Sequence, residues 1–260
     1  MKGILGVVFF GLFSAGSYYW LSRPSTSVPP AHIALVLDAS DSMQENAGQQ
    51  AVLGLLKGGL RVPGIKKGSK LFVSVVGGPA TAMEPVAVAS MDIPVSNRVM
   101  EGRGAVEKER RELVSKVLEE YSSKAIETKC TPVFLAVKRG LDQLHAAGCR
   151  EKSTCYLFVR SDGEETEEPW IRESISRLRV PKNGAPSVLD NRGIKVRWCG
   201  LAETRGVLTE KNKKRSLTPQ RSAARSEFLV SVLRSLFSEP DNVIFEPFCP
   251  VSEEPAKGAP

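Results

Sequence analysis

Histidine is scarce in this chain. Of 260 residues only His32 and His145 carry an imidazole, and neither stands near a Ser or Cys signature. Hydrolytic triads, which place an imidazole between a nucleophile and a carboxylate, therefore have little support. No GxxxxGK[ST] string occurs, and "GRGAVE" lacks the third glycine of GxGxxG, so neither phosphate-binding loop is present. Asp38 follows an apolar run as a phosphatase-type nucleophile does, but the D-x-D pattern of such enzymes needs an acid at position 40, where Ser40 stands. No enzymatic activity is expected, and a metal-dependent phosphoester hydrolase is the remote alternative. The five cysteines (Cys130, Cys149, Cys155, Cys199, Cys249) include no CxxC, which suits neither a zinc site nor a complete disulfide framework. Cys149 and Cys155 are close enough in sequence to pair in an oxidising compartment, and buried free thiols are expected of the others. No internal repeat is visible.

What is present is ordinary globular material: 42% apolar and 25% charged residues, enough to bury a core and against wholesale disorder. The formal charge of +7 is uneven. Between Arg205 and Arg225 seven basic residues face one acid, Glu210, so most of the excess sits in one stretch, read as a solvated loop. The amino-terminal run "GILGVVFFGLFSAGSYYWLS" holds twenty residues without a charge, about the hydrocarbon thickness of a bilayer when helical. Residues 1–22 are accordingly expected to form a transmembrane anchor, with residues 3–22 in the membrane. Tyr18, Tyr19 and Trp20 would lie at its interface, and a cleaved signal peptide ending near "SAGS" is the rival. The excess of Lys2 and the terminal amine over Arg23 places the remainder on the extracytoplasmic side, giving a single-pass protein of the cell membrane.

After a Pro- and Ser-rich linker over 23–31, strand and helix patterns alternate through 32–247, and 248–260 reads as a flexible tail. "IALVL", "LFVSVV", "CYLFVRS", "IKVRWCGL" and "NVIFEP" read as strands, with "PVAVAS" a short strand at a sheet edge. Helical periodicity covers the residues after Met43, "VEKERRELVSKVLEEY", "PVFLAVKRGLDQL", "PWIRESISRLR" and "PQRSAARSEFLVSVLRSLF". Thr131 reads as an N-cap with Pro132 in the first helical position. Such alternation implies an α/β fold, a doubly wound and mostly parallel central sheet with helices on both faces.

Ligands of open α/β sheets bind beyond the carboxyl ends of the strands. Three polar clusters stand there: Asp38, Ser40 and Ser42 as D-x-S-x-S after "IALVL", Thr131 at a helix start, and Asp162-Gly163 after "CYLFVRS". Their hard oxygen donors suit Mg²⁺, with Mn²⁺ or Ca²⁺ as substitutes. Taken singly, each has a plain structural reading: Ser42 and Thr131 as helix caps, Asp162-Gly163 as a turn.

The joint pattern "LVLDASDSM", "TKCTPVFLAV" and "LFVRSDGEE" resembles the von Willebrand factor type A domain with a metal-ion-dependent adhesion site, over roughly Ile33 to Pro247. One departure is Lys129-Cys130, where many relatives have Gly before the Thr. The resemblance implies a Rossmann-like sheet behind the membrane anchor. It also implies hydroxyl ligands from Ser40, Ser42 and Thr131, and Asp38 and Asp162 bound to the metal directly or through water. The partner would be a protein, engaged through a metal-bridged Glu or Asp, and nucleic acid is not expected. The alternative is a scaffold domain of the same fold without metal-dependent partner binding.

Overall fold

The computed structural model describes residues 29–40, 43, 48–77, 86–95, 103–124, 131–150, 154–163, 168–201, 207–210, 213–216 and 219–249. Strand β1 (Ile33–Asp38) is buried at every position. That is the consequence of a β-branched and Leu-rich run lying in the middle of a sheet covered on both faces. Around it the six-stranded sheet runs in the order β3 (Val86–Asp92), β2 (Lys70–Val76), β1, β4 (Cys155–Arg160), β5 (Ile194–Cys199), β8 (Val243–Glu246). The pairs β1–β2, β1–β4, β4–β5 and β5–β8 are parallel, while β2–β3 is antiparallel with a register shift between Val73 and Ser74.

Alternation along the strands divides the core in two. On one face Ile33, Leu35, Leu37, Leu71, Val73 and Phe158 pack under α1 (Gly48–Gly59) and α2 (Arg103–Lys124), which contribute Val52, Leu55, Leu56, Leu113, Val117 and Tyr121. On the other, Ala34, Val36, Leu157, Val159, Val196 and Trp198 pack under α3 (Val133–Ala146), α4 (Pro169–Arg177) and α5 (Pro219–Ser235). Helix α4 is entered through Glu168, whose carboxylate accepts from the Trp170 N–H, with Pro169 in the first turn where a missing N–H costs nothing. Its exit, Leu178, is left-handed at φ 48°.

Two disulfides complete the frame. Cys149–Cys155 closes the short connection from α3 to β4, and Cys199–Cys249 ties the end of β5 to the segment beyond β8, with Cα atoms 4.8 Å apart. The second pair replaces the free thiols expected of Cys199 and Cys249. Within the basic stretch, β6 (Val207–Glu210) and β7 (Lys213–Ser216) form an antiparallel hairpin of their own where the sequence reads as a loop.

The structure corrects the expected fold class. The sheet is a mixed parallel and antiparallel one flanked by helices, roughly Rossmann-like, and it is not preceded by a described membrane helix. Among the described residues no helix is long and apolar enough to cross a membrane. Residues 1–22, on which the anchor was read, lie outside the described residues. The expectations of a membrane anchor through residues 3–22 and of a single-pass location at the cell membrane accordingly find no support and are withdrawn.

Candidate functional site

The carboxyl end of β1 delivers Asp38 to the rim of the sheet, and β4 beside it delivers Arg160, Ser161 and Asp162. Asp38 is wholly buried, and its carboxylate is engaged by the chain itself. Oδ1 accepts from the Ser40 N–H at 2.8 Å, and Oδ2 accepts from the Ser161 hydroxyl at 2.7 Å. Ser161 is in turn fixed on three sides. Its Oγ accepts from the Gly163 N–H at 3.0 Å, its N–H donates to the Cys199 carbonyl at 3.1 Å, and its own carbonyl accepts from the Trp198 indole at 3.0 Å.

Behind the carboxylate lies a buried cation. Arg160 has no exposed surface; Nη1 donates to the Asp38 carbonyl at 3.2 Å and to the Tyr121 hydroxyl at 2.9 Å, and Nη2 donates to the Met43 carbonyl. Tyr121 also donates to the Asp38 carbonyl at 3.3 Å, so α2, β4 and the turn after β1 meet in one polar knot. Burial pushes the Asp38 carboxyl above its ordinary value, opposed by the hydrogen bonds from Ser40 and Ser161 and by the charge of Arg160.

Two glycines let the backbone close around this knot. Gly163 sits at φ +76°, and a Cβ there would come within 2.8 Å of Leu229. Gly200, at φ +100°, would bring a Cβ to 2.8 Å from the Met43 methyl and 3.3 Å from the Ser161 carbonyl. Both positions demand the left-handed backbone that glycine alone adopts freely.

Of the residues singled out from the sequence, Asp38, Ser40, Thr131 and Asp162 are all buried, and Ser42 lies outside the described residues. The sheet brings Asp38 and Asp162 to neighbouring strand ends. Thr131 does not cap α3: the capping position falls to Pro132, without a side-chain cap, and the Thr131 carbonyl accepts from the Val133 N–H. Arg160, Ser161 and Tyr121 were not singled out. The available signal was Arg160 itself, a charge inside the otherwise apolar "CYLFVR", which has to find internal partners if the strand is buried on both faces.

Among the described residues no group of three or more His, Cys, Asp and Glu could hold a metal ion. The expected Mg²⁺, Mn²⁺ or Ca²⁺ site is thereby overturned, together with a metal-bridged contact to a partner's Glu or Asp. The physical reason is local. The Asp38 carboxylate already accepts two short hydrogen bonds, from the Ser40 N–H and the Ser161 hydroxyl.

No family model matches the chain, and no curated protein matches it. Solved structures give distant likenesses. The pilus adhesin SpaC from Lactobacillus rhamnosus GG, in its open conformation, is 14% identical with a TM-score of 0.43, over 84% of this chain and 28% of that one. Proximal thread matrix protein 1 of the mussel byssus is 10% identical with a TM-score of 0.36, over 84% of this chain and 43% of that one. The manganese-loaded TRAP protein of Plasmodium vivax is 13% identical with a TM-score of 0.34, over 77% and 73%. This chain thus spans about a quarter of the length of the SpaC chain and under half of the thread protein. Likenesses this weak carry no argument about activity. The reading of the chain as a membrane-anchored von Willebrand factor type A domain with a metal-ion-dependent adhesion site is overturned because the described residues hold neither a metal-binding group of acids, histidines or cysteines nor a helix long and apolar enough to cross a membrane.

Proposed function

We propose that this chain is a non-enzymatic scaffold domain, whose strand-end polar residues fasten the fold together. The observation that supports this reading is the Asp38 carboxylate, buried and bonded to Ser40 and Ser161 with the Arg160 guanidinium behind it. Its bond to the Ser161 hydroxyl joins the end of β1 to the residue that follows β4. Arg160 extends the junction to α2 through Tyr121. Such a network fixes the mutual positions of three elements, which is what a scaffold requires of its interior.

The experiment is a thermal and urea denaturation series on the full chain, with Mg²⁺ and with chelator, for wild type and Asp38→Ala. Wild type is expected to unfold at the same midpoint in both conditions. Asp38→Ala is expected to lose about 2–3 kcal/mol, because it orphans the buried Ser40 N–H and Ser161 hydroxyl. A Mg²⁺-dependent rise of the wild-type midpoint, or an Asp38→Ala protein as stable as wild type, would refute the fastening role.

A further inference from the structure

The connection from α4 to β5 holds the one Asn-Gly pair of the sequence, Asn183-Gly184. Both residues are exposed, Asn183 lies in a bend, and Gly184 is left-handed at φ +84° with open space where a Cβ would stand. Among the described residues neither the Asn183 carboxamide nor the Gly184 N–H has a hydrogen-bond partner. The two other described asparagines are placed oppositely. Asn191 is buried; its Nδ2 donates to the Glu239 carbonyl at 2.9 Å and its Oδ1 accepts from the Glu239 N–H at 2.8 Å. The next N–H in the chain, that of Arg192, donates to Asp190 Oδ1 at 3.2 Å. Asn242 donates from Nδ2 to Glu239 Oε2, and the N–H that follows it, of the β-branched Val243, donates to the Pro240 carbonyl. At both of these the carboxamide and the following N–H are engaged, whereas at Asn183 both face water.

We propose that Asn183 is a site of spontaneous deamidation, a covalent modification whose co-reactant is water. Asparagine is among the thermally labile side chains, and its lability is set by what surrounds the carboxamide and the next amide. The Gly184 nitrogen, having lost its proton to a base of the solvent, attacks Asn183 Cγ. The new N–Cγ bond closes a succinimide ring, the Cγ–Nδ2 bond breaks, and the leaving group takes up a proton and departs as ammonia. Water then opens the ring. Addition at Cγ gives aspartate, and addition at the backbone carbonyl gives isoaspartate, whose chain runs through the side-chain carbon and is one atom longer. Glycine favours the closure because no Cβ crowds the attacking nitrogen or restricts its backbone. Either product places a carboxylate in a stretch, 177–189, that otherwise carries Arg177, Arg179 and Lys182 and no acid. The longer backbone is tolerated because the connection is pinned outside the reacting pair. On one side the Trp170 indole donates to the Pro181 carbonyl at 3.3 Å, and on the other Leu189 bonds through its N–H to Leu236 and through its carbonyl to Ser238.

The inference goes beyond the scaffold reading and is independent of the Asp38 network. The full chain is aged at mildly alkaline pH in water labelled with heavy oxygen, digested at low pH in ordinary water, and mapped by mass spectrometry. Asn183 is expected to convert with uptake of one heavy oxygen and with isoaspartate in excess over aspartate, while Asn191, Asn242 and the unfolding midpoint stay as they were. A free peptide of residues 180–187 sets the unhindered rate, which the folded chain should match. Gly184→Ala should slow the conversion roughly tenfold, a barrier higher by about 1.4 kcal/mol. Asn183→Gln, whose ring would need one more member, should give no acidic species at this position. An Asn183 that stays intact in the folded chain while the peptide converts, a rate indifferent to Gly184→Ala, or aspartate without isoaspartate would each overturn the site. Conversion of the buried Asn191 as fast as Asn183 would overturn the structural basis for it equally.

Discussion

At the scale of single residues, the charged and polar side chains that matter most here are the hidden ones. Asp38 and Arg160 lie within one buried network and are held by hydroxyls, carbonyls and one amide from four parts of the chain. His32 is a second case. It is buried just ahead of β1, and its Nδ1 accepts the Lys70 N–H at 3.1 Å, a bond only the unprotonated nitrogen can make. Burial, and then the positive charge of Lys70, hold its pKa below the ordinary 6.5. Between the lowered folded value and 6.5 the unfolded chain binds more protons than the native one, so His32 subtracts stability as pH falls through that window. Asp38, whose pKa is raised, acts in the opposite sense: the native state holds its proton above the ordinary value, favouring the fold as pH falls toward 3.8. The two are separable by substitution. His32→Gln is expected to flatten the loss of stability as pH falls below 6.5, read from urea midpoints, relative to wild type.

At the scale of elements, much of the architecture is legible in the string of residues. The β1 run "IALVLD", the apolar face of α2 with Leu113, Val117 and Tyr121, and the proline opening α4 fall where hydrophobic period and capping chemistry place them. Two things were not legible. Local pattern does not carry strand direction, so the antiparallel setting of β3 had no sequence signal beyond its reading as an edge strand. Nor does it say whether an oxygen donor faces a cation or a neighbouring N–H. D-x-S-x-S reads equally as a ligand set and as the fastening seen at Asp38 and Ser40, and the other partner of the carboxylate, Ser161, follows another strand. Where the β4–α4 connection turns, the constraint is steric. Gly163→Ala imposes a left-handed backbone on an L side chain and drives its Cβ into Leu229. A loss of about 1–3 kcal/mol is expected from chemical denaturation. Leu229→Ala in the same chain should relieve the clash but not the backbone cost.

At the scale of the whole molecule, the two disulfides differ in reach. Cys149–Cys155 spans a sequence separation of 6, and Cys199–Cys249 one of 50. If the stabilisation comes from the entropy removed from the unfolded chain, the short ring contributes about 2 kcal/mol and the long one about 4. Replacing each pair by serines should therefore lower the unfolding midpoint more for Cys199 with Cys249 than for Cys149 with Cys155. Equal losses would show that packing around the sulfurs, all four of them buried, outweighs the ring size.

The long ring also decides how the domain would bear a mechanical load. Tension applied beyond Cys249 enters the fold at Cys199 and bypasses everything between, so α5 and β8 cannot be peeled away while the bond is intact. Against a pull on the amino-terminal side of β1, the tension then runs lengthwise across β1, β4 and β5, three parallel strands gripped side by side. Their hydrogen bonds are loaded together in shear and cannot open in succession like a zipper. A sulfur–sulfur bond at one edge thus makes the centre of the sheet the element that must yield first.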